Sequence, residues 1–293
     1  MARFQRSAQR LSLPGFDAGE LLACIRALVR VEKDWVPNAP GYSLYLRPTL
    51  MGTTPFLGVG RALDATLFVL CSPCGPYMAS GVTAVSLFLE EQVVRAAPGG
   101  VGSFKVGGNY ATTIAPAVAA QRSHGCVQVL YTYKPDGAVE MERTVSEAGA
   151  MNVFFLLEGR YGAGRELVTP PLDGTILPGV TRQSVLELCR ERSEAEGGLL
   201  VSERPLGVAE LVEAGREGRL LEMFCTGTAA VVMPVQSLVR ADGEEVQAAA
   251  FEGGAGHMLS TRVAGWLAQI QRGGVPGHPW SVAVGLEETE MQC

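Results

Sequence analysis

The sequence predicts a globular protein built from both helices and strands, and three observations point to it. The chain of 293 residues is long enough for one large domain or two ordinary ones. Its composition, 47% hydrophobic and 18% charged, is typical of compact soluble proteins rather than disordered ones. Apolar residues recur with helical spacing in some segments and alternate as in strands in others.

Helices and strands follow each other along the whole chain, and their ends carry ordinary signals. Asp17 is an expected N-cap for an amphipathic helix with an apolar stripe, and the small residues of Met78-Ala-Ser-Gly81 predict a linker and a domain boundary. The expected helices are Met1–Leu13, Ala18–Val31, Thr112–Arg122, Gln183–Arg192, Leu211–Leu221 and Leu259–Gln271. The main expected strands are Gly41–Pro48, Ala65–Leu70, Val127–Tyr133, Val201–Pro205 and the two around Thr226-Gly-Thr228.

Charge and cysteine usage exclude several classes of function. The net charge of −6 and the lack of a long basic run argue against nucleic acid as a partner, and no apolar run is long enough for a membrane span. Seven cysteines, an odd number, indicate a reducing compartment, and Cys71-Ser-Pro-Cys74 is interpreted as structural thiols rather than a redox or zinc site. Arginines at 3, 6 and 10 suit either a helix with a basic face, expected for a cytoplasmic protein, or a mitochondrial targeting segment, and the family resemblance given below favours the first.

The most informative stretch runs from Arg95 to Thr113, where Lys105 stands among five glycines. A phosphate-binding loop needs Ser or Thr directly after Gly-Lys, and here Val106 follows, which excludes that interpretation. A lysine in a partly dry, glycine-lined pocket has its neutral form favoured and can form a Schiff base with a carbonyl compound. The alternative is a glycine-rich surface turn with a solvated lysine.

Three further segments carry candidate groups. Glu147 precedes an apolar strand, and by itself it would be a surface acid at the start of that strand. Val180 and Thr181 stand at the start of an expected helix, where free backbone N–H groups form an anion site. The turn Thr226-Gly-Thr228 offers hydroxyl and amide donors to oxyanions.

Several motifs together resemble one family. The segment Gly99-Gly-Val-Gly102 followed by Lys105-Val-Gly-Gly-Asn-Tyr110 is similar to the cofactor-lysine segment of the branched-chain amino acid aminotransferases, which are pyridoxal phosphate enzymes of fold type IV. The strand Ser43-Leu-Tyr-Leu-Arg-Pro48, the string Glu147-Ala-Gly-Ala-Met-Asn152, the loop Thr169–Arg182 and the turn at Thr228 match the same family in order. The resemblance implies a two-domain α+β fold of the D-amino acid aminotransferase type, with the cofactor between the domains. It implies a remnant of the small domain at 1–78, a linker at 79–85 and a large cofactor-binding domain at 86–293.

The resemblance also implies an activity and a role for each matching residue. The expected reaction moves the amino group of leucine, isoleucine or valine to 2-oxoglutarate, with pyridoxal 5′-phosphate bound to Lys105 in a homodimer and no metal. The expected catalytic residues are Lys105, Glu147, which would bond the ring nitrogen, and Tyr110, which would bond the ring hydroxyl oxygen. The expected phosphate anchors are Arg3, Val180, Thr181 and Thr228. The expected substrate contacts are Tyr45, Arg47, Tyr77, Ala150, Thr228 and Ala229.

Four departures from the family pattern keep alternatives open. The chain begins at the family's phosphate arginine, so the small domain is expected to be incomplete at its N-terminus. Ala150 replaces a threonine, several extra residues lie between Tyr133 and Glu147, and Ala230-Val-Val-Met233 replaces a CxxC of the animal mitochondrial enzyme. The alternatives are a shortened, non-catalytic homologue, or another class IV aminotransferase or lyase with a different substrate.

Overall fold

The computed structural model describes residues 1–39, 41–77, 84–249 and 258–285. The chain divides into two compact units, the first comprising Met1–Tyr77 with the segment that starts at Val275, and the second comprising Met78–Gly274. The segment from Val275, expected in the large domain, is grouped with the first unit in the structure. One reason is that Arg30 Nε donates to the Gly285 carbonyl at 2.9 Å. The expected linker falls mostly on residues 78–83, which lie outside the described part of the chain, so its assignment stays a prediction.

In its described residues, the first unit has two helices and a two-stranded antiparallel sheet. The helices are α1 (Ala2–Arg10) and α2 (Ala18–Val31), with a 3₁₀ turn at Lys33–Trp35, and the strands are β1 (Ser43–Gly52) and β2 (Ala65–Cys74). Helix α2 begins where predicted because the Asp17 carboxylate accepts a hydrogen bond from the Glu20 N–H at 2.9 Å. Strands β1 and β2 pair in continuous register from Ser43 opposite Cys74 to Gly52 opposite Ala65.

The apolar side of α2 faces a groove that it shares with β2. Leu21 is buried and Leu28 half-buried there, while Leu22, the next residue along the helix, is 41% exposed. Strand β2 continues beyond its predicted end at Leu70 and includes both cysteines of the CxxC. Residues three apart on a strand point to opposite faces, so Cys71 and Cys74 do not form a side-by-side thiol pair.

The second unit contains nine strands and five helices in its described residues. The strands are β3 (Val85–Glu90), β4 (Gln128–Tyr133), β5 (Thr144–Ala148), β6 (Asn152–Glu158), β7 (Arg165–Thr169), β8 (Leu200–Glu203), β9 (Leu220–Gly227), β10 (Val231–Val239) and β11 (Glu245–Gln247). The helices are α3 (Gly107–Ala111), α4 (Ile114–His124), α5 (Val180–Glu191), α6 (Val208–Arg216) and α7 (Leu259–Gln271). Short 3₁₀ turns lie at Glu140–Glu142 and Arg160–Gly162.

One mixed sheet organises this unit. Its strand order is β5-β4-β3-β10-β9-β6-β7-β8, with β11 pairing with β10. A β-bridge between Ala148 and Met151, with hydrogen bonds of 2.9 and 2.7 Å, brings the end of β5 back to the start of β6. The sheet therefore curls on itself, and the turn Gly149-Ala150, with Gly149 at φ +52°, closes the curl.

Apolar clusters cover both faces of the sheet. Along β6, Val153, Phe155 and Leu157 belong to the cluster that includes helix α6. Phe154 and Leu156 point the other way, into the cluster formed with α5 and α7. Both faces of β6 are thus buried, as expected for a continuous apolar run.

Helix α6 ends earlier than the sequence predicts. The expected helix Leu211–Leu221 stops at Arg216, and Leu220 and Leu221 belong to strand β9. Gly218 adopts φ +70°, a left-handed conformation that ends the helix and turns the chain toward the sheet. Local helical spacing did not reveal that the last two leucines pack as part of a strand.

Candidate active site

Lys105 lies in the loop between β3 and α3, two residues before the helix starts. Its Nζ donates to the Tyr110 hydroxyl at 3.1 Å and lies 4.8 Å from the centroid of the Tyr110 ring. The single turn of α3 thus brings two of the predicted catalytic residues together. Lys105 is exposed, which differs from the partly dry surroundings that the sequence analysis predicted for it.

The loop before Lys105 is held from behind by a buried asparagine. Asn109, which is 2% exposed, donates from Nδ2 to the carbonyls of Gly102 (3.0 Å) and Phe104 (3.2 Å). Its Oδ1 accepts a hydrogen bond from Arg95 Nη1 at 3.0 Å. Asn109 and Arg95 both belong to the lysine segment Arg95–Thr113, and no local signal in the sequence predicts a role for either.

Glu147 is the last residue but one of β5, directly before the turn that closes the curled sheet. It is 1% exposed, so its interpretation as a surface acid is wrong. Its carboxylate forms an ion pair with Arg95, accepts from the Leu177 N–H at 2.9 Å and accepts from Asn152 Nδ2 at 3.3 Å. Turn geometry explains this last contact, since Glu147 and Asn152 flank the same two-residue hairpin.

Burial is the main influence on the acidity of Glu147. It raises the pKa of the carboxyl from 4.5 to about 7, against the lowering effects of Arg95, the Leu177 N–H, Lys105 and Arg182. A carboxyl group with this pKa changes charge near neutrality. Such a perturbed group beside a lysine loop is typical of a catalytic site.

The loop 173–179 connects Glu147 to the start of α5. Thr175 offers its carbonyl to Arg95 Nη2 at 3.1 Å, and Asn152 Nδ2 donates to the Leu177 carbonyl at 2.9 Å. Helix α5 begins at Val180, three residues earlier than predicted, with Gly179 as its N-cap. The backbone N–H groups of Val180 and Thr181 therefore stand in the first turn, where a helix leaves its donors free for an anion.

The predicted polar turn between two strands is present. Strand β9 ends at Gly227, residues 228–230 form the turn, and β10 returns with Val231 opposite Gly227. Thr228 and Ala229 are exposed, as is Ala150 in the neighbouring hairpin turn. Thr226 is 1% exposed, and its hydroxyl is one of the few buried side-chain polar atoms in the described residues without a hydrogen-bond partner.

The remaining predicted site residues belong to the first unit. Arg3 is half-buried on α1, and Tyr77 is 56% exposed beyond the end of β2. Tyr45 and Arg47 share one face of β1, and the Arg47 guanidinium lies 5.2 Å from the centroid of the Tyr45 ring. The assignment of these four residues to cofactor or substrate stays a prediction.

The extra residues between Tyr133 and Glu147 form a structure of their own. They make a turn and a 3₁₀ helix, in which Arg143 bonds Thr132 Oγ1 at 3.2 Å and pairs with Glu140. The hydrogen bond from Arg143 lowers the pKa of Glu140 to about 2. Glu140 thus has its own cationic partners, Lys134 and Arg143. The extra residues do not displace Glu147, which keeps its contacts with Arg95, Leu177 and Asn152.

Two kinds of feature are absent from the described residues. No group of three or more His, Cys, Asp or Glu side chains could hold a metal ion there. Among the helices in that part of the chain, none has the length and apolar character needed to cross a membrane.

Known proteins resemble this chain over most of its length. Residues 1–238 match the family described as Amino-transferase class IV. The mitochondrial branched-chain-amino-acid aminotransferase of Schizosaccharomyces pombe is 43% identical over 280 residues, which are 96% of this chain and 63% of that protein. The cytosolic enzyme of the same description from Saccharomyces cerevisiae is 42% identical over 284 residues, 97% of this chain and 73% of that protein.

A solved structure of a related protein has a similar fold. The branched-chain amino acid aminotransferase of Escherichia coli superimposes with a TM-score of 0.70 at 25% identity, covering 97% of this chain and 82% of that one. The chain thus spans a little under two thirds of the S. pombe protein and most of the bacterial chain.

Proposed function

This chain belongs to the class IV aminotransferases, among the branched-chain-amino-acid aminotransferases, and from that premise we propose that it transfers the amino group of leucine, isoleucine or valine to a 2-oxo acid such as 2-oxoglutarate. The observation that carries the proposal is that the second unit holds a lysine amine with a tyrosine hydroxyl and a buried carboxylate in one hydrogen-bonded network. An exposed lysine amine lies 3.1 Å from a tyrosine hydroxyl, and a buried carboxylate is connected to the same loop by Arg95 and Asn109. The S. pombe relative is named as a branched-chain-amino-acid aminotransferase.

The donor set of the second unit fits pyridoxal phosphate. A primary amine, Lys105, suits its aldehyde, and the Tyr110 hydroxyl suits the ring hydroxyl oxygen. A carboxylate removed from water, Glu147, suits a protonated ring nitrogen, and the first N–H groups of α5 suit the phosphate. The unpartnered buried hydroxyl of Thr226 is a further donor whose hydrogen bond is not satisfied within the described residues.

Each residue has a defined physical task in the proposed reaction. Pyridoxal phosphate, when bound, supplies the electron-accepting ring that makes the Cα proton of an amino acid removable. Lys105 Nζ would carry that proton away from Cα. Tyr110 would orient the amine through the 3.1 Å hydrogen bond, and Glu147, once ionised, would hold the proton on the ring nitrogen. Arg95 and the Leu177 N–H favour that ionised form.

Absorption spectroscopy tests the proposal directly. The purified chain is mixed with pyridoxal phosphate, and the visible spectrum of the bound cofactor is recorded before and after adding leucine without any 2-oxo acid. The expected result is a bound-cofactor band that disappears on adding leucine, and Lys105→Ala should abolish both the band and turnover. A band that ignores leucine and every other amino acid would indicate the non-catalytic homologue. A response to a different amino acid would indicate another substrate.

The cytoplasmic location and the homodimer are part of the same proposal. Relatives of this chain include proteins named for the mitochondrion and for the cytosol, so both compartments occur in the family. Light scattering of the purified chain measures its mass against the 31.0 kDa of one copy. Imaging of a tagged chain in its native cell distinguishes the cytoplasm from the mitochondrion.

A further inference from the structure

One guanidinium joins three segments that are distant along the sequence. Arg95 is 6% exposed, and it donates from Nη1 to Asn109 and from Nη2 to the Thr175 carbonyl and the Glu147 carboxylate. These partners lie 14, 80 and 52 residues away in the chain. The planar fork of arginine makes such a junction possible, because its donors point in fixed and different directions.

Asn109 can serve this junction in only one orientation. Its two amide hydrogens are directed at the carbonyls of Gly102 and Phe104, which leaves Oδ1 to accept from Arg95. Phe104 directly precedes Lys105. A displacement of the guanidinium is therefore transmitted through Asn109 to the backbone that carries the lysine.

Backbone packing reinforces the same connection. A Cβ atom on Gly102 would lie 2.4 Å from the Thr175 carbonyl oxygen, so only glycine allows the lysine loop to approach the 173–179 loop this closely. Thr175 is the residue whose carbonyl Arg95 also binds. The lysine loop, Arg95 and the segment before α5 thus form one packed assembly.

We propose that Arg95 is a positioning residue, which holds the Lys105 loop and the Glu147 carboxylate in a fixed relation through its hydrogen bonds to Asn109, Thr175 and Glu147. This inference rests on the proposed function for its purpose, since the distance from amine to carboxylate matters when both act on one cofactor ring. The hydrogen-bond network itself does not depend on the cofactor. An experiment can therefore contradict the positioning role of Arg95 without contradicting the proposed function, and the reverse.

Arg95 also controls the charge of the carboxylate that it binds. The charged and titratable groups that act on Glu147 are Arg95, Lys105 and Arg182, and the Cys225 thiol lies close enough to respond to it. Removing the guanidinium leaves only the Leu177 N–H, Lys105 and Arg182 to oppose the effect of burial on the carboxyl. The carboxyl of the Arg95→Met protein is then protonated over a wider pH range.

Three variants separate geometry from charge. Arg95→Met removes both the hydrogen bonds and the positive charge of the guanidinium. Arg95→Lys keeps a positive charge near Glu147 but cannot bond three acceptors with the geometry of a guanidinium. Asn109→Ala removes the connection to the lysine loop and leaves the Arg95 to Glu147 pair in place. Arg182→Met is the matched control, because Arg182 is 1% exposed and bonds Glu203 and the Pro170 carbonyl without touching the lysine loop.

The first measurement is amide hydrogen exchange of the full chain without added cofactor. We expect Asn109→Ala to speed exchange in residues 102–110 by about tenfold or more while the Leu177 amide keeps its protection, and Arg95→Met to speed exchange at both places. Arg182→Met should leave exchange in residues 102–110 unchanged. Equal loss of protection across the second unit in Arg95→Met, or unchanged exchange in Asn109→Ala, would overturn the proposal.

The second measurement uses the cofactor-loaded protein and leucine turnover. Arg95→Lys and Asn109→Ala should still bind pyridoxal phosphate, with kcat lower by about a hundredfold and KM for leucine little changed, as expected for misplaced groups. The dependence of kcat on pH should shift in Arg95→Met and stay unchanged in Asn109→Ala. A raised KM at unchanged kcat would contradict a positioning role. Activity that survives Lys105→Ala would instead contradict the proposed function and leave the exchange result standing.

Discussion

The raised pKa of Glu147 predicts a specific dependence of stability on pH. The carboxyl titrates at about 7 in the folded chain, against 4.5 for the unperturbed group. The folded state therefore holds the proton more tightly than the unfolded state, so this group's stabilising contribution is complete below pH 4.5 and is lost as the pH rises to about 7. At ~1.4 kcal/mol per pKa unit, the loss amounts to about 3 kcal/mol in the free energy of unfolding.

Glu147→Gln removes this titration with little change in shape. The Gln carbonyl can still accept from the Leu177 N–H, as the protonated glutamic acid does. We expect the variant and the parent to have similar unfolding free energies near pH 4.5. Toward pH 8 the variant should gain about 3 kcal/mol relative to the parent.

Denaturant unfolding at a series of pH values measures this difference. In a background with Trp35 and Trp280 replaced by Phe, the fluorescence of Trp266 on α7 reports on the second unit. Subtracting the unfolding free energy of the parent from that of the variant at each pH cancels the contributions of the other titrating groups. Glu140→Gln is the control, since a group with its pKa lowered to about 2 is already ionised throughout this range. A Glu147→Gln protein that becomes less stable than the parent as pH rises would show that the attraction of Arg95 outweighs burial, and would refute the reasoning.

Three further substitutions have outcomes that the packing determines. Gly102→Ala should destabilise the second unit by about 3 kcal/mol or more, because its Cβ would lie 2.4 Å from the Thr175 carbonyl oxygen, and urea unfolding measures it. Glu222→Gln should cost about 1–3 kcal/mol and loosen the start of α7 in hydrogen exchange, because the two carboxylate oxygens accept from the Leu259 N–H (2.6 Å) and the Ser260 N–H (3.0 Å) and the Gln side chain has only one acceptor oxygen; unchanged protection there would contradict this. Gly265→Ala, with open space around it in α7, should raise the unfolding free energy by about 0.5–1 kcal/mol, and no gain would contradict the helix-propensity argument.

Features that depend on residues close together in the sequence could be predicted well. The bounds of α2 and α7 agree with the expected helices, because an N-cap carboxylate at Asp17 and a 3.6-residue spacing are local signals. The turn between β9 and β10 was expected for the same reason. The family similarity to aminotransferases was also readable in the motifs, which keep their order along the chain.

Errors occurred where packing decides between equally plausible local patterns. Leu220 and Leu221 fit a helical stripe by spacing, and they pack within the central sheet as part of β9. The CxxC looked like a segment after a strand, and it is the end of β2. The segment from Val275 carries no local signal for joining the first unit, since its contact with Arg30 spans 255 residues.

The sequence by itself determined the bounds of α2 and α7, the N-cap at Asp17 and the alternation of the strands, and it led us to propose Lys105, Tyr110 and Glu147 as the reactive groups. These properties follow from side-chain chemistry and from interactions within a few residues. Only the tertiary structure decided that Glu147 is buried and paired with Arg95, and that Asn109 connects that pair to the lysine loop. Such contacts form because the curled sheet brings together residues 14 to 80 positions apart, and no local pattern records that distance.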